Sequence, residues 1–262
     1  MSDRLKLTAV VLRTVDYGES DRVVSLLTRE RGKVAAFARG ARASKRRFGG
    51  ALESFTLLDA ELRERRSGDL LGLDAVSVTR AFGAIRGDLT RIASASYACE
   101  LCLELLRDAE PHPEFFDLLV ELLSRLDAGP GRAGLLRAFE LGALRSAGLM
   151  PRLDACARCD RPAPPAGSPP VPTHVQFDPA QGGLLCSRCA AFASPGALRV
   201  RIETTWALRH FQEGGLAASE GAPLEPELAA EARQLLARFL EHQLGRSLGS
   251  ARFLDEVAPG LE

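Results

Sequence analysis

"KLTAVVLRTVDYGESDRVVSLLTRERGKVAAFARG", residues 6–40, sets three runs rich in Val, Leu, Ala and Thr end to end, each about one strand long. Gly18 in "YGES" breaks the first run from the second, and Arg31-Gly32 breaks the second from the third. Two further runs follow, "ESFTLLDAELRER" and "LLGLDAVSVTR", with Ser67-Gly68-Asp69 between them. In the last run Leu71, Leu73 and Ala75 hold one parity while Val76 and Val78 hold the other, which predicts a β-bulge.

Five short strands within residues 1–80 can hide their edges by closing into a small barrel. An OB-type barrel fits that count, and an SH3-like barrel is its competitor. From residue 81 the apolar period changes to that of helices. "DLTRIASASYACELCLELL" starts at a candidate N-cap, Asp88; "PEFFDLLVELLSRL" carries Pro113 in its first turn; "RAGLLRAFELGALRSAGLMP" ends at Gly148. Two more helices, "RIETTWALRHF" and "PELAAEARQLLARFLEHQL", come later. The expected class is therefore α+β and multi-domain: a β-barrel over 1–80, an α-helical domain over 81–152 and 198–262, and a cysteine-rich insert over 153–197.

The chain has 262 residues, is 46% hydrophobic and 26% charged, and so has the composition of a globular protein. Its formal net charge is +0, but residues 1–80 hold 16 Lys or Arg against 11 Asp or Glu, and the rest 18 against 23. The excess concentrates in "RGKVAAFARGARASKRRFGG", residues 31–50, with seven basic residues and no acidic one. On the third strand and its exit loop this aligns Arg31, Lys33, Arg39, Arg42, Lys45, Arg46 and Arg47, with Arg29 just before them. Guanidinium groups fork onto phosphate, so a polyanion partner such as DNA is expected. Contact with six to eight phosphates implies a slope of roughly −4 to −7 for log K against log salt. Candidate stacking aromatics nearby are Tyr17, Phe37, Phe48 and Phe55, some of them needed for the core.

The insert carries two C-x-x-C pairs, Cys156/Cys159 and Cys186/Cys189. Two such knuckles complete a tetrahedral Zn²⁺ site, and four thiolates leave no open position for catalysis, so one structural zinc ion is expected. Disulfides or an iron–sulfur cluster use the same residue type, but disulfides fit a cytoplasmic location poorly. That location is expected because the first residues lack the apolar core of a signal peptide and no run is long enough to cross a membrane. Between the pairs the segment is rich in Pro and Gly and is expected to lean on the metal for its order. Arg158 and Arg188, at the third position of each knuckle, are placed to offset the thiolate charge. Cys99 and Cys102 fall on an apolar helical face and read as core, and His210, one turn after Trp206, reads as packed. No P-loop or nucleophile–base grouping is present, so no enzyme is expected. Glu19 and Asp21 are read with Arg22 as an ion pair fixing a turn, not as a nuclease's metal site.

With these parts assembled the chain resembles the RecO family of recombination mediators along essentially its whole length. The resemblance lies in "VDYGESDRVVSLLTRERGKVAAFARGAR", "LESF" at 52–55, "FDPAQGGLLCSRC" and "LGRSLGSARFL". It implies an N-terminal OB fold, a helical C-terminal domain and, where all four cysteines are kept, zinc. It further implies a nucleoid-associated repair protein that binds single- and double-stranded DNA, anneals complementary strands, and with RecR helps load RecA onto strands coated by single-stranded-DNA-binding protein (SSB). An acidic SSB tail would need an apolar slot flanked by arginine, for which Arg125, Arg132 and Arg137 are the candidates. The alternatives are a zinc-containing protein–protein adapter without direct DNA binding, and a zinc-ribbon nucleic-acid enzyme.

Overall fold

A computed structural model describes residues 4–44, 47–64, 70–129, 132–166, 173–221 and 224–258. The five expected strands form: β1 (Arg4–Tyr17), β2 (Asp21–Thr28), β3 (Gly32–Ala38), β4 (Leu57–Arg63) and β5 (Leu71–Arg80). They close a barrel in the order β1-β2-β3-β5-β4, the OB-type connectivity. Every neighbour is antiparallel except β3 and β5, which pair in parallel through Ala36↔Leu71 and Phe37↔Gly72. Alternate residues fill the interior, among them Leu7, Ala9, Val24, Leu26, Ala36, Leu58, Ala60 and Leu62. The expected bulge sits at Asp74, because Glu61 pairs with Ala75 while Leu62 pairs with Leu73. The expected Ser67-Gly68-Asp69 turn lies outside the described residues.

Two helices, α1 (Leu89–Leu105) and α2 (Pro113–Ala128), belong with the barrel in one compact unit, Met1–Pro130. The step from strand to helix at residue 80 is thus not where contacts divide. Asp88 caps α1 by accepting from the backbone N–H of Arg91 at 3.0 Å. Cys99 and Cys102 are buried in the α1 face, and burial pushes the Cys99 thiol up to about 12. Asp127 near the end of α2 holds Arg80 at 3.2 Å and accepts from the N–H of Ala84 at 2.9 Å.

One glycine governs this seam. Gly32 has φ +63°, and a Cβ there would stand 1.8 Å from the Glu110 carbonyl oxygen. The strand start therefore presses directly on the α1–α2 connection, where Ala109 N–H donates to the Lys33 carbonyl at 2.8 Å. Gly32→Ala is expected to cost about 3 kcal/mol or more, combining left-handed strain with a backbone clash. Urea denaturation of the full chain reads it; a loss under about 0.5 kcal/mol would contradict the close approach.

The second unit, Gly131–Glu262, contains α3 (Ala133–Ser146), α4 (Ile202–Gly214), α5 (Pro226–Leu244) and α6 (Gly249–Val257). Here the insert departs from expectation. With the adjoining residues 198–201 it builds a three-stranded sheet of β6 (His174–Asp178), β7 (Gly183–Leu185) and β8 (Leu198–Arg201), in the order β7-β6-β8. Phe177 packs edge-on against Phe239 of α5 with centroids 5.7 Å apart, so the insert does share a core. Trp206 of α4 donates its indole N–H to the Pro164 carbonyl at 2.9 Å, fastening the proline-rich segment as well. His210 is exposed on α4 instead of packed. No helix among the described residues is long and apolar enough to cross a membrane.

Candidate functional site

Two chain reversals build the cysteine centre. In the first, Asp160 adopts φ +60° and its N–H returns to the Cys156 carbonyl at 3.0 Å; in the second, the Cys189 N–H returns to the Cys186 carbonyl at 2.9 Å. Each turn aims two sulfurs at one point. The Sγ atoms of Cys156, Cys159, Cys186 and Cys189 all lie within 4.8 Å of one another, with Cys159 and Cys186 at 3.6 Å. All four are free, and a disulfide would need sulfurs about 2.05 Å apart. A tetrahedron with metal–sulfur bonds of about 2.3 Å has sulfurs roughly 3.8 Å apart, so the cluster has the dimensions of a four-thiolate metal site.

The electrostatics agree. Burial opposes ionisation of Cys156, yet backbone N–H groups of Cys186, Arg158 and Cys159 outweigh it and bring the thiol down to about 6. Desolvation and the neighbouring sulfurs push Cys189 up to about 12, because a cluster of thiolates repels its last member. A divalent cation removes that repulsion. Arg158 lies over the exposed Phe192 ring at 3.9 Å from the centroid.

A buried carboxylate braces the second knuckle. Asp178, fully buried at the end of β6, accepts from the Ser194 N–H and hydroxyl at 2.7 Å each, and from Ala180 N–H and Gln181 Nε2 at 3.0 Å. Burial raises its pKa, but these donors prevail and hold it below 3.8. The clamp therefore contributes fully above about pH 4 and is lost as pH falls below that value. Asp178→Asn turns an amide NH₂ toward donors and is expected to cost about 2–4 kcal/mol at pH 7. The gap between wild type and variant should narrow at pH 3; denaturation curves at both pH values check it.

The basic residues divide into two groups. At the β2–β3 turn each cation already meets a carboxylate. Arg29 makes a two-pronged bond to Asp117 of α2 at 2.8 and 3.0 Å, Arg31 reaches Glu64 at 3.5 Å, and Lys33 lies 3.2 Å from Asp108. Lys33 also donates to the Leu103 carbonyl at 2.7 Å, and its side chain is only 16% exposed. At the far end of β3, about 26 Å from Arg31 by strand rise, Arg39, Arg42 and Arg47 gather around Gly40. Arg47 donates to the Arg39 carbonyl at 2.8 Å and meets no carboxylate in ion-pair reach among the described residues. Arg42 points along the β1–β2 turn, 3.7 Å from Asp16 and 3.5 Å from the Gly18 carbonyl. Lys45 and Arg46 lie outside the described residues.

This loop is held firmly. Phe48 is buried in the barrel core, Arg42 N–H donates to the Ser20 carbonyl at 3.0 Å, and the Asp21 carboxylate accepts from Gly40 N–H at 2.7 Å. The Gly40 bond pulls the Asp21 pKa down. Arg22 does not pair with Glu19 or Asp21 as expected; register places it opposite Ala38, and it reaches Asp16 at 3.0 Å and Glu53 at 3.8 Å. Of the four aromatics, Phe48 and Phe55 are buried. Tyr17 is 62% exposed and meets Phe37 edge-on at 5.7 Å, beside the arginines.

A family model described as "Recombination protein O N terminal" matches residues 1–82, and "Recombination protein O C terminal" matches 86–252. The chain is 63% identical to "DNA repair protein RecO" of Anaeromyxobacter sp. (strain K) over 257 residues, 98% of each chain. It is 49% identical to the protein of that name from Myxococcus xanthus (strain DK1622), covering 95% of this chain and 96% of the relative. For Geobacter sulfurreducens the figure is 38%, with 97% and 99% covered. The chain belongs to the RecO family. It is thus a member of a family of DNA repair proteins.

The three arginines considered for an SSB tail differ in exposure and partners. Arg137 is buried, holding buried Glu140 at 2.7 Å one helical turn away, and offers nothing to a docking peptide. Arg125 pairs with Glu121 at 2.7 Å on α2, in the first unit, whereas exposed Arg132 precedes α3 in the second. A helical period cannot tell an arginine facing solvent from one that neutralises a buried glutamate; the Glu140 three residues on was the available signal.

Proposed function

We propose that this chain is a DNA-binding repair and recombination mediator without catalytic turnover. It holds phosphates through Arg39, Arg42 and Arg47, with Lys45 and Arg46 between the last two in the sequence, and anneals complementary strands. Together with RecR it loads RecA onto SSB-coated single strands in the cytoplasm, at the nucleoid. Family membership supports the repair role. The observation that carries DNA binding is the anchored loop of three arginines beside exposed Tyr17, which stands edge-on to half-buried Phe37. Arg29, Arg31 and Lys33 contribute less, because a phosphate would compete with carboxylate pairs at 2.8 to 3.5 Å, closer than the 3.7 Å between Arg42 and Asp16.

Annealing follows from the chemistry of such a surface. Arginines screen phosphate repulsion between two strands while leaving the base edges open for pairing. Tyr17 adds a stacking face for an unpaired base, which is worth about 1–3 kcal/mol and is unavailable to a closed duplex. Zinc would be held by Cys156, Cys159, Cys186 and Cys189 and would supply structural order to the insert, a role for which a four-thiolate set is suited.

Annealing of complementary oligonucleotides at 50 and 200 mM salt tests the reading. The chain should anneal, and the rate should fall at the higher salt. Tyr17→Ala should weaken single-strand binding about tenfold and leave duplex binding nearly unchanged. Absence of annealing at both salts favours the adapter; strand cleavage with Mg²⁺ favours the enzyme.

A further inference from the structure

The four sulfurs of the metal centre are not equivalent. Cys156 and Cys189 are buried with Leu185 in the small core of the knuckles. Cys186 is half-buried at the edge of that core, and Cys159 is exposed. The two outer sulfurs, one from each knuckle, stand 3.6 Å apart. The remaining cysteines, Cys99 and Cys102, are buried in α1 and belong to the other unit.

That asymmetry sorts the reactivity of the centre. A thiolate attacks a peroxide by displacing one oxygen from the other, so the oxidant must reach the sulfur from solvent. Cys159 meets that condition, and Cys156 and Cys189 do not. The sulfenic acid formed on Cys159 is resolved by a second thiolate. Cys186 needs to move only about 1.5 Å to close 3.6 Å to a bond of about 2.05 Å. Cys156 and Cys189 would first have to leave their packing.

We propose that the centre is a peroxide-operated switch in which a Cys159–Cys186 disulfide takes the place of the metal. The Cys159 thiolate attacks hydrogen peroxide; the O–O bond breaks, the sulfur becomes a sulfenic acid and hydroxide leaves. The Cys186 thiolate then attacks that sulfur, an S–S bond forms and a second hydroxide leaves. Two sulfurs have given two electrons to one peroxide. Cys156 and Cys189 alone cannot keep the Zn²⁺, which departs. The new bond joins the same two turns that the metal joined, so the knuckles pass from a metal-held to a disulfide-held form. Thiol reductant together with zinc reverses the exchange. The inference rests on zinc filling the four-cysteine centre.

Hydrogen peroxide treatment of the full zinc-loaded chain tests it, read by a chromogenic zinc chelator and by peptide mass spectrometry without reduction. About one zinc per chain should be released, with one disulfide joining the Cys159 peptide to the Cys186 peptide. Dithiothreitol and zinc should restore the starting state. Cys159→His keeps a four-ligand centre without the reactive sulfur and should release zinc at least about tenfold more slowly. Cys186→His keeps the attacking sulfur without its partner, so dimedone should label Cys159. A chain purified without zinc overturns the metal reading and the switch together, whereas a zinc-loaded chain that holds its ion in peroxide overturns the switch alone. So would a Cys156–Cys159 or Cys186–Cys189 disulfide, or zinc release from Cys159→His at the wild-type rate.

Discussion

A Cys156→Ser, Cys189→Ser chain is expected to bind no zinc and to lose the order of the two knuckle turns while keeping the barrel folded. Around the knuckles the buried apolar set is small: Cys156, Leu185 and Cys189, with Ala193 packed against them. A structural zinc site contributes on the order of 10 kcal/mol, far more than that cluster can supply by burial. Removing two of four ligands leaves two thiols and two hydroxyls that cannot hold the ion. The sheet of β6 to β8 retains its Phe177–Phe239 packing, so the loss should centre on the two turns. Limited proteolysis with mass spectrometry reads this directly: cuts should gather in 153–197 in the variant, and the wild type should carry about one zinc per chain. A metal-free wild type, or a variant as resistant as wild type, would contradict a structural metal.

The second large effect is at the barrel. Arg39→Glu, Arg42→Glu, Arg47→Glu reverses three charges in one anchored loop and is expected to cut affinity for single strands on the order of a hundredfold at moderate salt. Folding should survive, because Phe48, the Ser20 carbonyl and Asp21 still fix the loop when the bonds of Arg42 and Arg47 to the Gly18 and Arg39 carbonyls are lost. The matched control, Arg29→Glu, Arg31→Glu, alters charge equally per residue at the other end of β3. It should change binding less than fivefold, since those cations are already paired with Asp117 and Glu64.

The contrast between these variants marks where the residues alone stop being informative. Alternation, turn glycines and the C-x-x-C spacing are local signals, and they locate five strands, five helices and four ligands. Parity told that β5 would carry a bulge, but not that Asp74 would be its site or that β3 would be its parallel neighbour. Pairing partners lie far along the chain: Asp117 is 88 residues from Arg29, and Glu64 is 33 from Arg31. No window over residues 29–47 contains them, so a split set reads as one continuous basic rim. The insert failed differently. "HVQFD" alternates, yet its proline-rich surroundings mask a strand whose partners β7 and β8 are only three and four residues long. Buried Arg137 was misread because Leu135, Leu136 and Phe139 beside it define an apolar face without saying how wide it is.

The most direct test is the salt dependence of single-strand binding for wild type and for the Arg39, Arg42, Arg47 triple variant, measured by fluorescence anisotropy between 50 and 300 mM salt. Three arginines, or five with Lys45 and Arg46, predict a wild-type slope of log K against log salt between about −2 and −4, falling by about two units in the variant. A wild-type slope near zero, or the same slope in both proteins, would mean that this loop does not hold DNA.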